Sequence, residues 1–260
     1  MQSYDLNSLL NPDIPNINPV NTVIKGDCVE VMNTMEPNSI NLVFTSPPYN
    51  TGGGGKCKGF YLNYKDNLTP GEYYNLLNFS LKRMLRVCDG LIFINLNYMN
   101  RNKKPLYHFI ANNTEYLKEH IIWKKDVLQP PMGNILAKRY EHIFVFSKNP
   151  TIEINNFRTN KAKGFERIFG SWISNLIELP ADDTEYSDIH KACFPTSLPG
   201  VFISIYSKLN DIILDPFCGV GSTLLAARQR GRRYIGIDIE AEYCKISRQR
   251  LSQGQLFKEM

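Results

Sequence analysis

Short, continuous apolar runs alternate with stretches of helical spacing along most of this chain, and that alternation restricts the fold more than any other feature. Ile40 to Phe44, Gly90 to Ile94, Asp211 to Leu214 and Tyr234 to Ile237 read as strands. A run without polar alternation fits a strand buried on both faces. Tyr73, Leu76, Leu77, Met84 and Leu85 recur at helical spacing over 72–87, and further helices are expected near 29–35, 104–116, 197–207, 222–230 and 242–251. Val23-Ile24 forms a short strand ending at Gly26-Asp27; His120 to Trp123 and Tyr140 to Phe146 flank a Pro-Pro-Met-Gly turn. Strands that alternate with helices make βα units, so the expected fold class is α/β with a mostly parallel sheet.

Two segments interrupt the rhythm. Residues 50–71 form a long loop with consecutive glycines at 52–55 and basic residues at Lys56 and Lys58. Loops of that length in a compact domain are usually functional or mobile. Residues 147–190 carry Arg158, Lys161, Lys163 and Arg167, then Trp172, then acidic residues over 182–188, and are expected to be an inserted region. The resulting division is an arm over 1–20, broken by Pro12, Pro15 and Pro19, a first half over 21–146, the insert over 147–190 and a second half over 191–260.

Composition narrows the class. With 260 residues, 43% hydrophobic and 21% charged, the chain is an ordinary globular protein with enough surface to bury a core. A net charge of +5 is compatible with a polyanionic partner without demonstrating one. The 6 cysteines are scattered with no CxxC pair, which suggests neither a zinc ribbon nor a disulfide framework. No signal-peptide core and no membrane-length apolar run occur, so a cytoplasmic protein with reduced thiols is expected.

Chemistry concentrates at two points. The strand Asn41 to Thr45 stops at Ser46-Pro47-Pro48-Tyr49, because neither proline can donate to the ladder. The product is a stiff corner bearing a hydroxyl, a backbone carbonyl and an aromatic face. It reads either as a plain proline turn or as a receptor for a flat, amine-bearing ring. The second point runs Ile212-Ile213-Leu214-Asp215-Pro216-Phe217-Cys218-Gly219-Val220-Gly221-Ser222-Thr223: strand, glycine turn, helix start. Leu224 stands where a third glycine would complete a dinucleotide fingerprint, and no Gly-Lys-Ser/Thr occurs. The loop therefore suits a cofactor that lays a nucleoside and an amino acid against backbone without phosphates. Asp238 ends the next strand about 20 residues on, where an acid normally accepts from ribose hydroxyls. Glu240 could share or take that role, and a plain helix cap is the blander reading.

Together, Thr45-Ser46-Pro47-Pro48-Tyr49 and Asp215 to Thr223 resemble the S-adenosylmethionine-dependent amino-methyltransferases of DNA, in the order of their β group. His190-Lys191-Ala192-Cys193-Phe194-Pro195 with Leu198-Pro199 looks like the segment preceding the cofactor loop, and Lys25-Gly26-Asp27 resembles the element that reaches the cofactor's adenine. The resemblance spans roughly 22–146 and 188–252. It implies a Rossmann-like sheet of seven strands, six parallel and one antiparallel, circularly permuted in chain order. It makes 21–146 the catalytic half, 147–190 the target-recognition region and 191–260 the cofactor half. It also implies cofactor contacts at Asp27, Phe194, Thr196, Asp215, Phe217, Gly219, Gly221, Ser222, Thr223, Asp238 and Glu240, and catalysis by Ser46, Pro47, Pro48 and Tyr49, with no metal.

The reaction so implied moves a methyl group from S-adenosylmethionine to an exocyclic amine of double-stranded DNA, on a base flipped from the helix. The setting implied is a prokaryotic restriction-modification system with a cognate endonuclease; monomer and dimer both stay open. A cysteine nucleophile for ring-carbon methylation would need a Pro-Cys dipeptide at the corner, and none is present. Serine at position 46 resembles the cytosine-N4 members. Adenine-N6 methylation, a nicotinamide-dependent enzyme and a DNA-binding protein without catalysis are the alternatives.

Overall fold

A computed structural model describes residues 20–52, 66–99, 101–129, 136–151, 174–181 and 193–253. The arm before residue 20, most of the glycine run with Lys56 and Lys58, the Pro-Pro-Met-Gly turn, the basic stretch with Trp172, the acidic patch and His190 to Ala192 lie outside these residues.

The strands are β1 (Thr22–Lys25), β2 (Ile40–Thr45), β3 (Cys88–Leu96), β4 (Leu117–Gln129), β5 (Lys138–Phe146), β6 (Leu176–Glu178), β7 (Ile212–Asp215) and β8 (Arg233–Asp238). The helices are α1 (Cys28–Asn33), α2 (Pro70–Val87), α3 (Lys103–Ala111), α4 (Ser197–Tyr206), α5 (Ser222–Gln229) and α6 (Ala241–Gln253). The described strands form one sheet in the order β1-β8-β7-β2-β3-β5-β4-β6. Only β5 runs antiparallel to its neighbours.

The α/β class stands, but the sheet has 8 strands where seven are expected. The extra one, β6, comes from the segment expected to be an insert, and pairs parallel with β4 through Ile122↔Leu176 and Trp123↔Ile177. Its pattern is too short to announce itself: only Ile177 is buried, between two exposed neighbours. β4 also runs well beyond the expected 120–123, since its polar flanks are stabilised by pairing to β5 and not by apolar character. Helix α3 stops before 116 because asparagine and threonine side chains recapture its last carbonyls. Asn113 Nδ2 donates to the Phe109 carbonyl at 2.8 Å and Thr114 Oγ1 to that of Ala111 at 3.4 Å. Helix α2 starts two residues early, at Pro70, behind a Thr69/Glu72 capping box.

Alternation along the central strands sorts the core into two layers. Val43, Ile92 and Ile94 face α1, α2 and α3, packing on Tyr73, Leu77, Leu81 and Met84. Leu42, Phe44 and Phe93 face α4 and α5. There Phe93 meets Phe202 at 4.7 Å between ring centroids, and Phe44 meets Phe194 edge-on at 5.5 Å. No helix among the described residues is long and apolar enough to cross a membrane.

Candidate functional site

From β7 the chain works outward through α5 to β8 on one side; from β2 it works outward to β3 on the other. The connections diverge at the carboxyl ends of β7 and β2, and such a switch point leaves a crevice where ligands bind in open α/β sheets. A cavity open to solvent lies there.

Its lining joins three distant parts of the chain: Gly26 and Asp27 after β1, Ser46 and Pro48 after β2, and Phe217, Gly219, Ser222, Asp238 and Glu240 in the second half. Phe194 lines it too. Thus most of the expected cofactor residues converge on one space. Asp215, Gly221, Thr223, Thr196, Pro47 and Tyr49 are not on its wall.

Several of those six shape the wall from behind. Asp215 is fully buried at the end of β7 and accepts from Thr45 Oγ1 at 2.7 Å and from the Phe217 amide at 3.1 Å. That single carboxylate ties the residue before Ser46 to the start of the glycine loop. Burial raises its carboxyl from 3.8 to about 6, against the lowering effect of its hydrogen bonds. Thr223, also buried, donates to the Phe44 carbonyl at 3.3 Å and ties the start of α5 to β2. Gly221 caps α5 at φ 83°, where a Cβ would sit 2.3 Å from Ser247 Oγ, so only glycine fits.

The two acids flanking the cavity are already engaged. Asp27 caps α1, accepting from the amides of Val29 at 2.8 Å and Glu30 at 3.2 Å. Asp238 accepts from the Gly219 amide and the Glu240 amide, each at 2.8 Å, and burial raises its carboxyl above the ordinary value. Asp238 therefore holds backbone at the glycine loop and just before α6. One acceptor site per oxygen remains for a ligand. On the opposite side Arg250 of α6 reaches Ser222 Oγ at 3.1 Å and the Val220 carbonyl at 3.3 Å.

At the proline corner, Ser46 is half-buried and its Oγ lies 3.0 Å from the Tyr49 hydroxyl. Tyr49 is 8% exposed, in the core beside Tyr73 and Leu77. Its hydroxyl donates to Glu141 Oε2 at 2.9 Å and accepts from Asn95 Nδ2 at 3.1 Å. Its carbonyl accepts from buried Asn102 Nδ2 at 2.6 Å. Beyond the corner, Asp66 accepts from the amides of Asn50 and Thr51 and from Thr51 Oγ1, at 2.7, 2.7 and 2.8 Å. Asp66 thereby ties the backbone at residues 50 and 51 to its own position before α2.

Sequence reasoning missed Asn95, Asn102, Glu141 and Asp66. A signal existed for one of them: Asn95 is a polar residue between the apolar Ile94 and Leu96 of β3, whereas Glu141 stands among the polar residues that open β5. Of the thiols lining the cavity, burial pushes Cys28 up to about 12 and Cys218 well above its ordinary value.

A Rossmann-like sheet with a glycine loop, an acid after the next strand and a proline corner across the crevice describes a transferase that handles a nucleoside-bearing cofactor. A family model described as DNA methylase, of the N6/N4 kind, matches residues 40–249. The chain belongs to this DNA methylase family. The Type II methyltransferase M.HinfI of Haemophilus influenzae is 29% identical over 255 residues, covering 92% of this chain and 70% of that protein. Among solved structures, the PvuII DNA methyltransferase (cytosine-N4-specific) superposes with a TM-score of 0.67 at 21% identity over 88% of this chain and 86% of that one. The M1.HpyAVI–SAM complex gives 0.58 at 21% identity over 88% and 98%. At that identity these two likenesses establish the fold.

The cofactor of the family is S-adenosylmethionine, which supplies a methyl group on a sulfonium. The residues present fit it. Gly219, Ser222 at the start of α5, Asp238 and Glu240 line one cavity, so backbone and carboxylate oxygens that could accept from hydroxyls face the same space.

Proposed function

We propose that this chain methylates the exocyclic N4 amine of cytosine in double-stranded DNA, using S-adenosylmethionine, as the modification enzyme of a restriction-modification system. The observation that carries the reading is Ser46: its Oγ stands in the same cavity as the glycine loop, with its hydrogen directed away toward Tyr49. Such an oxygen accepts hydrogen bonds from the ligand. A base amine is a poor nucleophile because its lone pair is delocalised into the ring. Acceptors at its hydrogens return density to nitrogen and aim the lone pair. Ser46 Oγ and the Pro47 carbonyl are those acceptors, Pro48 fixes the corner, and Tyr49, buried off the cavity wall, holds Ser46 through its hydroxyl. Positioning and preorganised dipoles supply the rate.

Target atoms inside a duplex are out of reach, so the base is flipped, at about a few kcal/mol. The remaining assignments are carried by the motifs: Asp27 to the adenine, Asp238 and Glu240 to the ribose, and Phe194, Thr196, Phe217, Ser222 and the glycines to the cofactor's remaining surface. The cytosine-N4 specificity of the PvuII enzyme supports cytosine, and the Type II name of the Haemophilus relative supports the restriction-modification setting. Chain order, with the corner before the cofactor loop, supports the permuted β group. Target reading is assigned to 147–190 and a cognate endonuclease is the implied companion.

Nucleoside mass spectrometry of DNA treated with the protein tests the reading. N4-methylcytosine is expected; N6-methyladenine alone would transfer the assignment to adenine, and no methylated nucleoside would remove it.

A further inference from the structure

Behind Ser46 lies a buried polar chain whose direction is fixed by its far end. Glu141 of β5 is paired through Oε1 with the ammonium of Lys125 of β4; their side chains are 5% and 10% exposed. Lys125 also sits 4.4 Å above the Trp123 ring. The other carboxylate oxygen, Oε2, faces the Tyr49 hydroxyl at 2.9 Å and Asn95 Nδ2 at 2.8 Å. A carboxylate has no hydrogen to give, so Tyr49 must spend its single hydrogen on Glu141. Asn95 must present its amide nitrogen, because the opposite orientation would set Oδ1 against both the carboxylate and the hydroxyl oxygen. Tyr49 oxygen is thus left as an acceptor. Ser46, 3.0 Å away, must donate to it. With its one hydrogen committed inward, Ser46 Oγ faces the cavity with lone pairs alone.

We propose that Glu141 is a positioning residue that sets the hydrogen-bond polarity of Ser46 through Tyr49, and so restricts the site to bases presenting an amine. The inference rests on the amine-methylating reading above. A base that presents a carbonyl at this point meets an oxygen with no hydrogen to offer, and both acceptors stay unpaired. Selection for amino over keto bases would then come from an acid three side chains removed from the ligand.

The test is a double-mutant cycle on single-turnover methyl transfer to DNA. Glu141→Gln can donate an amide hydrogen to Tyr49, which frees the tyrosine hydrogen to turn toward Ser46 and reverses the chain. Tyr49→Phe keeps the ring and breaks the chain. Each is expected to lower kcat about tenfold, the scale of one charge-assisted hydrogen bond, with KM for DNA and calorimetric cofactor affinity unchanged. The double variant should be no worse than Tyr49→Phe alone, because Glu141 acts through Tyr49. If Glu141→Gln does not fold with the Lys125 charge unpaired, Lys125→Met with Glu141→Gln removes both charges and is read in the same way. An unchanged kcat in Tyr49→Phe or in the folded Glu141 variant, or losses that add in full, would overturn the proposal while wild-type methylation of an amine still upholds the functional reading. Wild-type protein that methylates no base overturns that reading, and the inference with it.

Discussion

The glycine loop after β7 and the proline corner after β2 sit side by side at one sheet edge, yet they are held in opposite ways. The loop is a backbone device. Its shape comes from a left-handed glycine, a strand end and an acid that accepts two amides, all within residues 215–240. The corner is a side-chain device. Its shape comes from Glu141, Asn95, Asn102 and Asp66, delivered by β5, β3, the turn into α3 and the segment before α2. One carboxylate, Asp215, joins the two through Thr45. The difference teaches that cofactor binding should tolerate changes across the sheet, while positioning of the target amine should not.

Ser46→Ala is the sharpest way to separate the two. Methyl transfer is expected to fall on the order of 100-fold, the scale of deleting one preorganised polar group, with cofactor affinity by calorimetry intact. A parallel loss of cofactor affinity would dissolve the contrast. Gly221→Ala attacks the other side. Its φ of 83° and the 2.3 Å approach to buried Ser247 should cost about 2 kcal/mol of stability and weaken cofactor binding, while the rate at saturating cofactor is kept.

The joint itself is read by pH. Burial lifts the Asp215 carboxyl from 3.8 to about 6, so the folded chain binds more protons than the unfolded one between those values. Stability from this group is fully present below the unfolded value and is lost as pH rises through the folded one. Compared with Asp215→Asn, which does not titrate, wild-type stability in urea should fall by about 2 kcal/mol from pH 4 to pH 7. A flat difference would mean that the carboxylate is better solvated than its burial implies. The smallest effect is expected at Asp66→Asn, which keeps one acceptor oxygen and loses the other. About 1 kcal/mol of stability and faster proteolysis between residues 52 and 66 should follow, with cofactor affinity unchanged.

The asymmetry between the two walls also explains what could be read without coordinates. Ile212 to Thr223 announced strand, turn and helix start in consecutive residues, and the acid followed at a fixed distance, because backbone-built sites write their requirements locally. The corner announced only its prolines, its hydroxyl and its ring. Asn95 was visible as a polar residue in an apolar strand and Glu141 was not, since it stands near Arg139 and His142, and nothing local says that the two meet each other or Tyr49. β6 stayed hidden for a related reason: with one buried residue, its order comes from the edge of β4 and not from its own pattern.

By itself the sequence determined the α/β class, the alternating elements and the position of the two motifs, since apolar period, proline and glycine act within a few residues of where they stand. Tertiary structure alone decided that Asp215 clamps Thr45, that Asp238 holds the loop it follows, and that a buried ion pair on β4 and β5 directs the hydroxyl of Ser46. The Asp215–Thr45 contact joins residues 170 positions apart, and all three depend on a register that is set by packing of the whole sheet.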